Sequence, residues 1–269
     1  MNLHDAALAA LLEPDPAAKS RAAVALQLAY AQGQALAQCL APASPIAVPG
    51  RPQHPSLVAP RELAHRGIGT LAGRVALIHA VAHIEFNAIN LALDAVYRFR
   101  DMPSDYYADW LSVAVDEARH FGLLQARLRE LGSDYGELPA HNGLWEAARA
   151  SADSCLKRMA LVPRVLEARG LDVTPGMILK LERVGDRATV AILETILAEE
   201  VGHVLIGTRW FHFCCAAAGV EPEATFLGLI GEHARASIKQ PFNRDARRQA
   251  GFGAVEQAGL DALAAGSDR

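Results

Sequence analysis

Apolar residues return every three or four positions along most of the chain, the period of a helix with one buried face. The clearest run covers residues 70–99, where Leu71, Val75, Ile78, Ala82, Ile89 and Leu93 recur at that spacing. A second run follows Met102-Pro103-Ser104, with Ser104 or Asp105 expected as N-cap, and reaches about residue 131 before Gly132. A third helix is expected over residues 144–168 and ends at Gly170, after which Thr174-Pro175 restarts a short helix to residue 184. Asp186 stands where it caps a fourth long helix to residue 218, and a shorter helix follows Pro222.

The N-terminal part reads differently. Residues 1–40 predict two helices separated at Pro14-Asp15-Pro16, the second being the alanine-rich stretch 17–40. From residue 41 to about residue 61 the period stops, and Pro42, Pro45, Pro49, Pro52, Pro55 and Pro60 impose an extended strap. The expected division is therefore an arm and strap over residues 1–61 and a helical bundle with a C-terminal helix over residues 62–269.

Composition narrows the class. The 269 residues are 51% hydrophobic but only 6% aromatic, and they are rich in Ala and Leu, which enter helices at least cost. The expectation is an all-α fold. A net charge of -4 provides no field to attract nucleic acid or an anionic membrane. No run reaches the roughly eighteen apolar residues of a membrane span. Cys39, Cys155, Cys214 and Cys215 follow no disulfide or zinc-site spacing, and the N-terminus lacks a basic segment followed by an apolar one. These features predict a cytoplasmic protein.

Two Glu-x-x-His motifs lie in the long helices, Glu117-Ala118-Arg119-His120 and Glu200-Val201-Gly202-His203. Residues three apart share a helix face, so each motif aims a carboxylate and an imidazole at one point. One such motif is more often a solvated face than a site. A chain of this composition is expected to contain roughly 0.6 by chance, and a third, Glu62-Leu63-Ala64-His65, beside the strap, is read as such a coincidence.

The wider spacing is more specific. Glu117 follows Glu85 by 32 residues and Glu200 follows Glu167 by 33. At 1.5 Å per residue, Glu85 lies about 21 Å before the end of its helix and Glu117 about 18 Å into the next, so an antiparallel hairpin brings them level. One Glu from each of two helices plus a Glu-x-x-His from each of two others is the ligand set of ferritin-like di-iron and di-manganese proteins. Four carboxylates and two imidazoles suit Fe(II) or Mn(II).

Glu85, Glu117 and His120 are assigned to one ion and Glu167, Glu200 and His203 to the other, with the same six residues carrying the chemistry. Two Fe ions are expected, with Mn or a mixed Fe/Mn pair as alternatives. Glu194 and Glu199 are neighbours able to substitute. His79 and His83 face away from Glu85 and are read as supporting or core histidines. Trp210, seven residues after His203, is read as core packing rather than a gate.

The chain also resembles the bacterial ferritin-like proteins catalogued as a conserved domain of unknown function. The likeness runs from about Pro49 to Phe252, through Pro49-Gly50-Arg51-Pro52, His79-Ala80-Val81-Ala82-His83-Ile84-Glu85, Asp116-Glu117-Ala118-Arg119-His120-Phe121, Leu138-Pro139-Ala140-His141, Val165-Leu166-Glu167-Ala168-Arg169-Gly170-Leu171-Asp172, Glu200-Val201-Gly202-His203 and Pro241-Phe242-Asn243. It implies a ferritin-like four-helix bundle, here with additional N-terminal and C-terminal helices, and di-iron binding. It implies no particular reaction.

The expected activity is that of an oxidoreductase or hydroxylase acting with O2 on a small-molecule substrate, which enters near the break at residues 170–175. An iron-storage ferroxidase and a non-catalytic metal-binding scaffold are the alternatives. A tRNA-modifying role requires a basic patch, for which Arg244, Arg247 and Arg248 are the candidates. An electron donor and a homo-oligomer fit the same picture; a membrane partner does not.

Overall fold

A computed structural model describes residues 2–34, 38–64 and 66–265. The described residues form eleven α-helices: α1 (Leu3–Leu12), α2 (Pro16–Ala31), α3 (Leu71–Arg98), α4 (Ser104–Glu130), α5 (Gly143–Ala150), α6 (Cys155–Leu161), α7 (Ala168–Arg183), α8 (Arg187–Ala218), α9 (Pro222–His233), α10 (Arg244–Gln249) and α11 (Ala254–Ala265). Among the described residues no strand forms, and one isolated parallel bridge joins Leu57 to Ala140. The chain is all-α, as its composition and period predict. It divides into two compact units, Met1–Arg149 with Asp186–Ile192, and Ala150–Gly185 with Leu193–Arg269.

In the first unit α3 and α4 form a hairpin that α1 and α2 cover. Thr70 caps α3 by accepting the Gly73 N–H at 3.1 Å. Ser104 and Asp105 do not cap α4: Pro103 occupies the cap position without a side-chain bond, and Ser104 is already helical. Contrary to the expectation that no segment is apolar enough to span a membrane, α3 is so by length and composition, but 72% of its most apolar window is buried within the protein, as in a core helix. The helices around it are tied to it by specific bonds. His4 Nδ1 lies 2.8 Å from the Val96 carbonyl oxygen, and Lys19 Nζ donates to the Leu11 carbonyl and to Asn90 Oδ1, each at 2.6 Å.

The expected second helix ends early. α2 stops at Ala31 because Gly33 turns into the left-handed region at φ 68°, a common helix exit. Residues 35–37 of the predicted helix lie outside the described residues. The strap follows as expected. Its Gly50 N–H donates to the Leu11 carbonyl at 2.9 Å, and a Cβ at Gly50 would come within 2.3 Å of Leu12 backbone, so only glycine permits this crossing. Ser44 N–H to the Tyr97 hydroxyl (2.9 Å) and Trp145 Nε1–H to the Ala47 carbonyl (3.1 Å) hold the rest of the strap down.

Asp186 caps α8 by accepting the Thr189 N–H at 3.2 Å, as the sequence predicts. The same carboxylate receives Arg127 at 2.9 Å and stands 3.5 Å from Arg74, which joins the first turns of α8 to α3 and α4.

The second unit departs from expectation in two places. The predicted helix over 144–168 is interrupted after α5, because Ser154 starts α6 by accepting the Lys157 N–H at 3.3 Å. The predicted break between 170 and 175 is absent: a π-helical stretch, Val162–Glu167, leads directly into α7, which contains Gly170 and Pro175. Pro163 has no N–H for the preceding turn, and the ladder widens, Ala168 N–H bonding the Pro163 carbonyl five residues back. Pro175 likewise cannot serve the Leu171 carbonyl; Asn243 Nδ2–H does so instead at 3.1 Å. That substitution lets the helix continue. The substrate entrance expected at the break loses its basis.

The core of the second unit is built around a buried arginine. Arg164 is fully buried, with its guanidinium carbon 4.8, 3.9 and 4.6 Å from the ring centres of Phe211, Phe226 and Phe252. Its charge is met by Glu256 at 2.7 Å. Arg247 makes a second buried pair, two-pronged, with Asp172 at 2.9 and 2.7 Å.

Candidate metal centre

An apolar helix rarely carries many buried polar residues, yet α3 buries Glu85, Asn87, Asn90 and Asp94. Three of these have local partners: Asn87 bonds the carbonyl of His83 at 2.8 Å, Asn90 meets Lys19, and Asp94 takes a two-pronged bond from Arg98. Glu85 instead faces α4. The hairpin register worked out from helix rise holds, and His120 Nδ1 lies 3.2 Å from Glu85 Oε2 and 3.6 Å from Glu117 Oε2. The three residues are only 5%, 1% and 0% exposed for Glu85, Glu117 and His120.

Each of the three offers one ligand atom, and those atoms lie within 4.8 Å of one another. Burial opposes a charge on His120, but hydrogen bonds and charge from Glu117 and Glu85 outweigh it and raise its pKa to about 10. The group therefore demands positive charge at its centre. Two carboxylates and an imidazole are a donor set able to hold a metal ion, whose charge would take the place of the proton's.

In the second unit, Glu200 and His203 lie one turn apart on α8, with His203 Nδ1 3.2 Å from Glu200 Oε1. Both are buried, at 9% and 3% exposure. Glu167 is the last residue of the π-helical stretch and is half-buried. Of the two neighbours considered as substitutes, Glu194 is exposed and Glu199 half-buried. Trp210 is buried with its ring against Phe213, centroids 5.3 Å apart. In the third Glu-x-x-His motif Glu62 is exposed in a short 3-10 turn, and His65 lies outside the described residues.

His79 and His83 occupy another face of α3. His83 Nε2 bonds the His141 carbonyl at 3.0 Å and its Nδ1 meets the Tyr135 hydroxyl at 2.9 Å. Burial lowers its pKa to about 4, so the ring is neutral, a clamp on the loop that follows α4. The sequence implies a supporting or core place for both histidines but no partner for them, because Tyr135 sits in an aperiodic loop. The π-helical stretch was missed too; Pro163 inside a helical pattern was its only signal.

The three C-terminal arginines named as candidates for a basic patch are each paired with a carboxylate. Arg247 is buried against Asp172, while Arg244 pairs with Asp261 at 2.6 Å and Arg248 with Asp245 at 3.0 Å.

Comparison with known proteins adds a family but no activity. A profile described as a protein of unknown function, DUF455, matches residues 12–257. A relative from Haemophilus influenzae, itself described as an uncharacterized protein, is 46% identical over 208 residues, covering 75% of this chain and 72% of its own. No solved structure matches.

Proposed function

The chain belongs to the DUF455 family of proteins of unknown function, and from its buried carboxylates and imidazoles we propose that it is a ferritin-like di-metal protein acting as an oxidoreductase. Glu85, Glu117 and His120 hold one ion. Glu167, Glu200 and His203 hold the other. Iron is the metal favoured, with Mn or a mixed pair as alternatives.

The observation that carries this reading is the convergence of Glu85 and Glu117 on His120 inside the α3–α4 hairpin. Three ionisable groups buried together are costly unless a cation or proton offsets them. The second half rests on the sequence: the same Glu-x-x-His motif recurs, preceded by a glutamate at nearly the same distance. Helical rods holding ligands in pairs are the architecture of a ferritin-like bundle, which we adopt as the fold of the site.

When bound, a pair of such ions supplies Lewis acidity and one-electron redox steps for reaction with O2. The protein's own contribution is to keep the carboxylates buried and to hold the His120 ring by its Nδ1 side between two acids. Substrate, electron donor and a cytoplasmic setting belong to the same proposal.

The test is metal analysis of protein expressed without added metal, followed by reduction and exposure to O2 under optical observation. Two irons per chain and a transient visible band support the oxidoreductase. Many irons per chain support storage by a ferroxidase, and redox-inert bound metal supports a scaffold. Metal-free protein that takes up neither Fe(II) nor Mn(II) rejects the whole reading.

A further inference from the structure

Another face of α3 borders a cavity of about 180 Å3 in the first unit. Ala76, His79, Ala80 and His83 line it at positions i, i+3, i+4 and i+7, a single helical stripe. Glu85 is turned about 120° from His79 and about 160° from His83, so the cavity and the carboxylate group occupy different sides of the helix. The remaining walls are residues 63, 64 and 66, just before α3, and residues 138–141.

The loop that forms one wall is fixed by three bonds to α3. Tyr135 and the His141 carbonyl clamp onto His83, and the Gly136 N–H donates to His79 Nε2 at 2.9 Å. Backbone bonds from Val58 N–H to the Ala140 carbonyl (2.9 Å) and from Ala140 N–H to the Ser56 carbonyl (3.0 Å) add the strap to the same frame. Such a pre-formed hollow is what a small-molecule site requires.

The polar inventory of the walls is one-sided. Because His79 Nε2 accepts an N–H, the proton of its neutral ring sits on Nδ1. His141 Nδ1 accepts the Gly143 N–H at 3.2 Å, which places its ring proton on Nε2. Burial lowers the pKa of His79, against an opposing charge from Glu137, which keeps that ring neutral. Both nitrogens of His83 are already engaged. Arg66, exposed, adds a cation, and the side chains lining the cavity include no carboxylate. The other walls are hydrocarbon: Leu63, Ala76, Ala80, Ile84, Leu138 and Pro139. Ile84 is 44% exposed, so the hollow has an apolar rim open to solvent.

We propose that this cavity binds a small monocarboxylate with a compact apolar body, an aryl or branched-chain acid, whose carboxylate accepts hydrogen bonds from His79, His141 and Arg66. The size agrees, since an apolar cavity of about 150 Å3 takes up benzene. The acid group then sits at the end nearest Arg66. The site is independent of the metal reading and stands or falls without it.

Benzoate, phenylacetate and 3-methylbutanoate are titrated into full-length protein, with benzyl alcohol and benzylamine as neutral and cationic counterparts. Binding is followed by saturation-transfer NMR and by melting temperature, with and without a metal chelator. The acids are expected to bind at least about tenfold more tightly than the alcohol or amine, equally well with chelator present. Arg66→Gln, at an exposed position, is expected to weaken the acids about tenfold and leave benzyl alcohol unchanged. Ala80→Trp, also exposed, fills the cavity and is expected to abolish binding while the protein melts normally. Acids that bind no better than the amine, that ignore Ala80→Trp, or that dissociate when chelator strips metal overturn the assignment.

Discussion

Asn243 donates its side-chain amide to the Leu171 carbonyl at 3.1 Å, the carbonyl that Pro175 leaves without a helical partner. A residue about seventy positions away thus repairs a defect that a proline creates. Asn243→Ala is expected to destabilise the protein by about 1 to 3 kcal/mol, the cost of an unsatisfied buried carbonyl plus the lost cap on α10. In a Pro175→Ala background the cost should shrink, because the backbone again supplies an N–H. A double-mutant cycle by urea denaturation checks this; equal losses in both backgrounds would rule out the repair.

Bound metal stabilises a folded protein by mass action, by about 2.7 kcal/mol at a hundredfold excess over Kd. Chelator is therefore expected to lower the melting temperature of the metal-loaded wild type. His120→Ala and Glu117→Ala should hold less metal per chain and lose that chelator response. Elemental analysis beside the melting curves makes the measurement. Unchanged metal content in both variants would remove the α3–α4 hairpin from the metal site.

Lys19 is fully enclosed, with its pKa lowered to about 7 by burial, partly opposed by the charge of Glu13. Its folded pKa lies below its unfolded one, near 10.4. Between those values the unfolded chain binds more protons, so stability rises with pH from about 7 towards 10. Lys19→Met is expected to remove this rise, though it leaves Asn90 Oδ1 without the Lys19 donor and the Leu11 carbonyl with the Gly50 N–H alone. Denaturation midpoints for both proteins at pH 7, 8, 9 and 10 supply the comparison. Parallel profiles would show that Lys19 does not titrate there.

Breaking the Arg164–Glu256 pair leaves a guanidinium buried among three phenylalanines. Arg164→Met and Glu256→Leu are each expected to cost about 3 to 5 kcal/mol, and the two together to cost less than either single change. Chemical denaturation of the three variants decides it, and additive losses would exclude coupling.

What was legible in the sequence was whatever a local rule controls. Thr70, Asp186 and the proline strap announce themselves by residue type, and the interval from Glu85 to Glu117 follows from helix rise alone. The errors arose where a distant residue overrides a local rule. Pro175 and Gly170 look like a stop, and only the presence of Asn243 cancels it. Ser154 looks unremarkable inside a helical period, yet it begins a helix. Of the candidate site, the meeting of Glu85, Glu117 and His120 was readable. The clamp of Tyr135 on His83, and with it the cavity, was not, because aperiodic loops carry no register.

The carboxylate of Asp186 completes the first unit, though it stands 37 residues beyond Arg149, where the main segment of that unit ends. On the ribosome, the α3–α4 hairpin must therefore wait for that acid before Arg74 meets it and before Arg127, paired with Glu130 at 2.6 Å, gains its second carboxylate. A chain terminated after residue 149 should emerge with Arg74 lacking the Asp186 carboxylate and Arg127 held by Glu130 alone, and so with a hairpin less firmly closed than in the full chain.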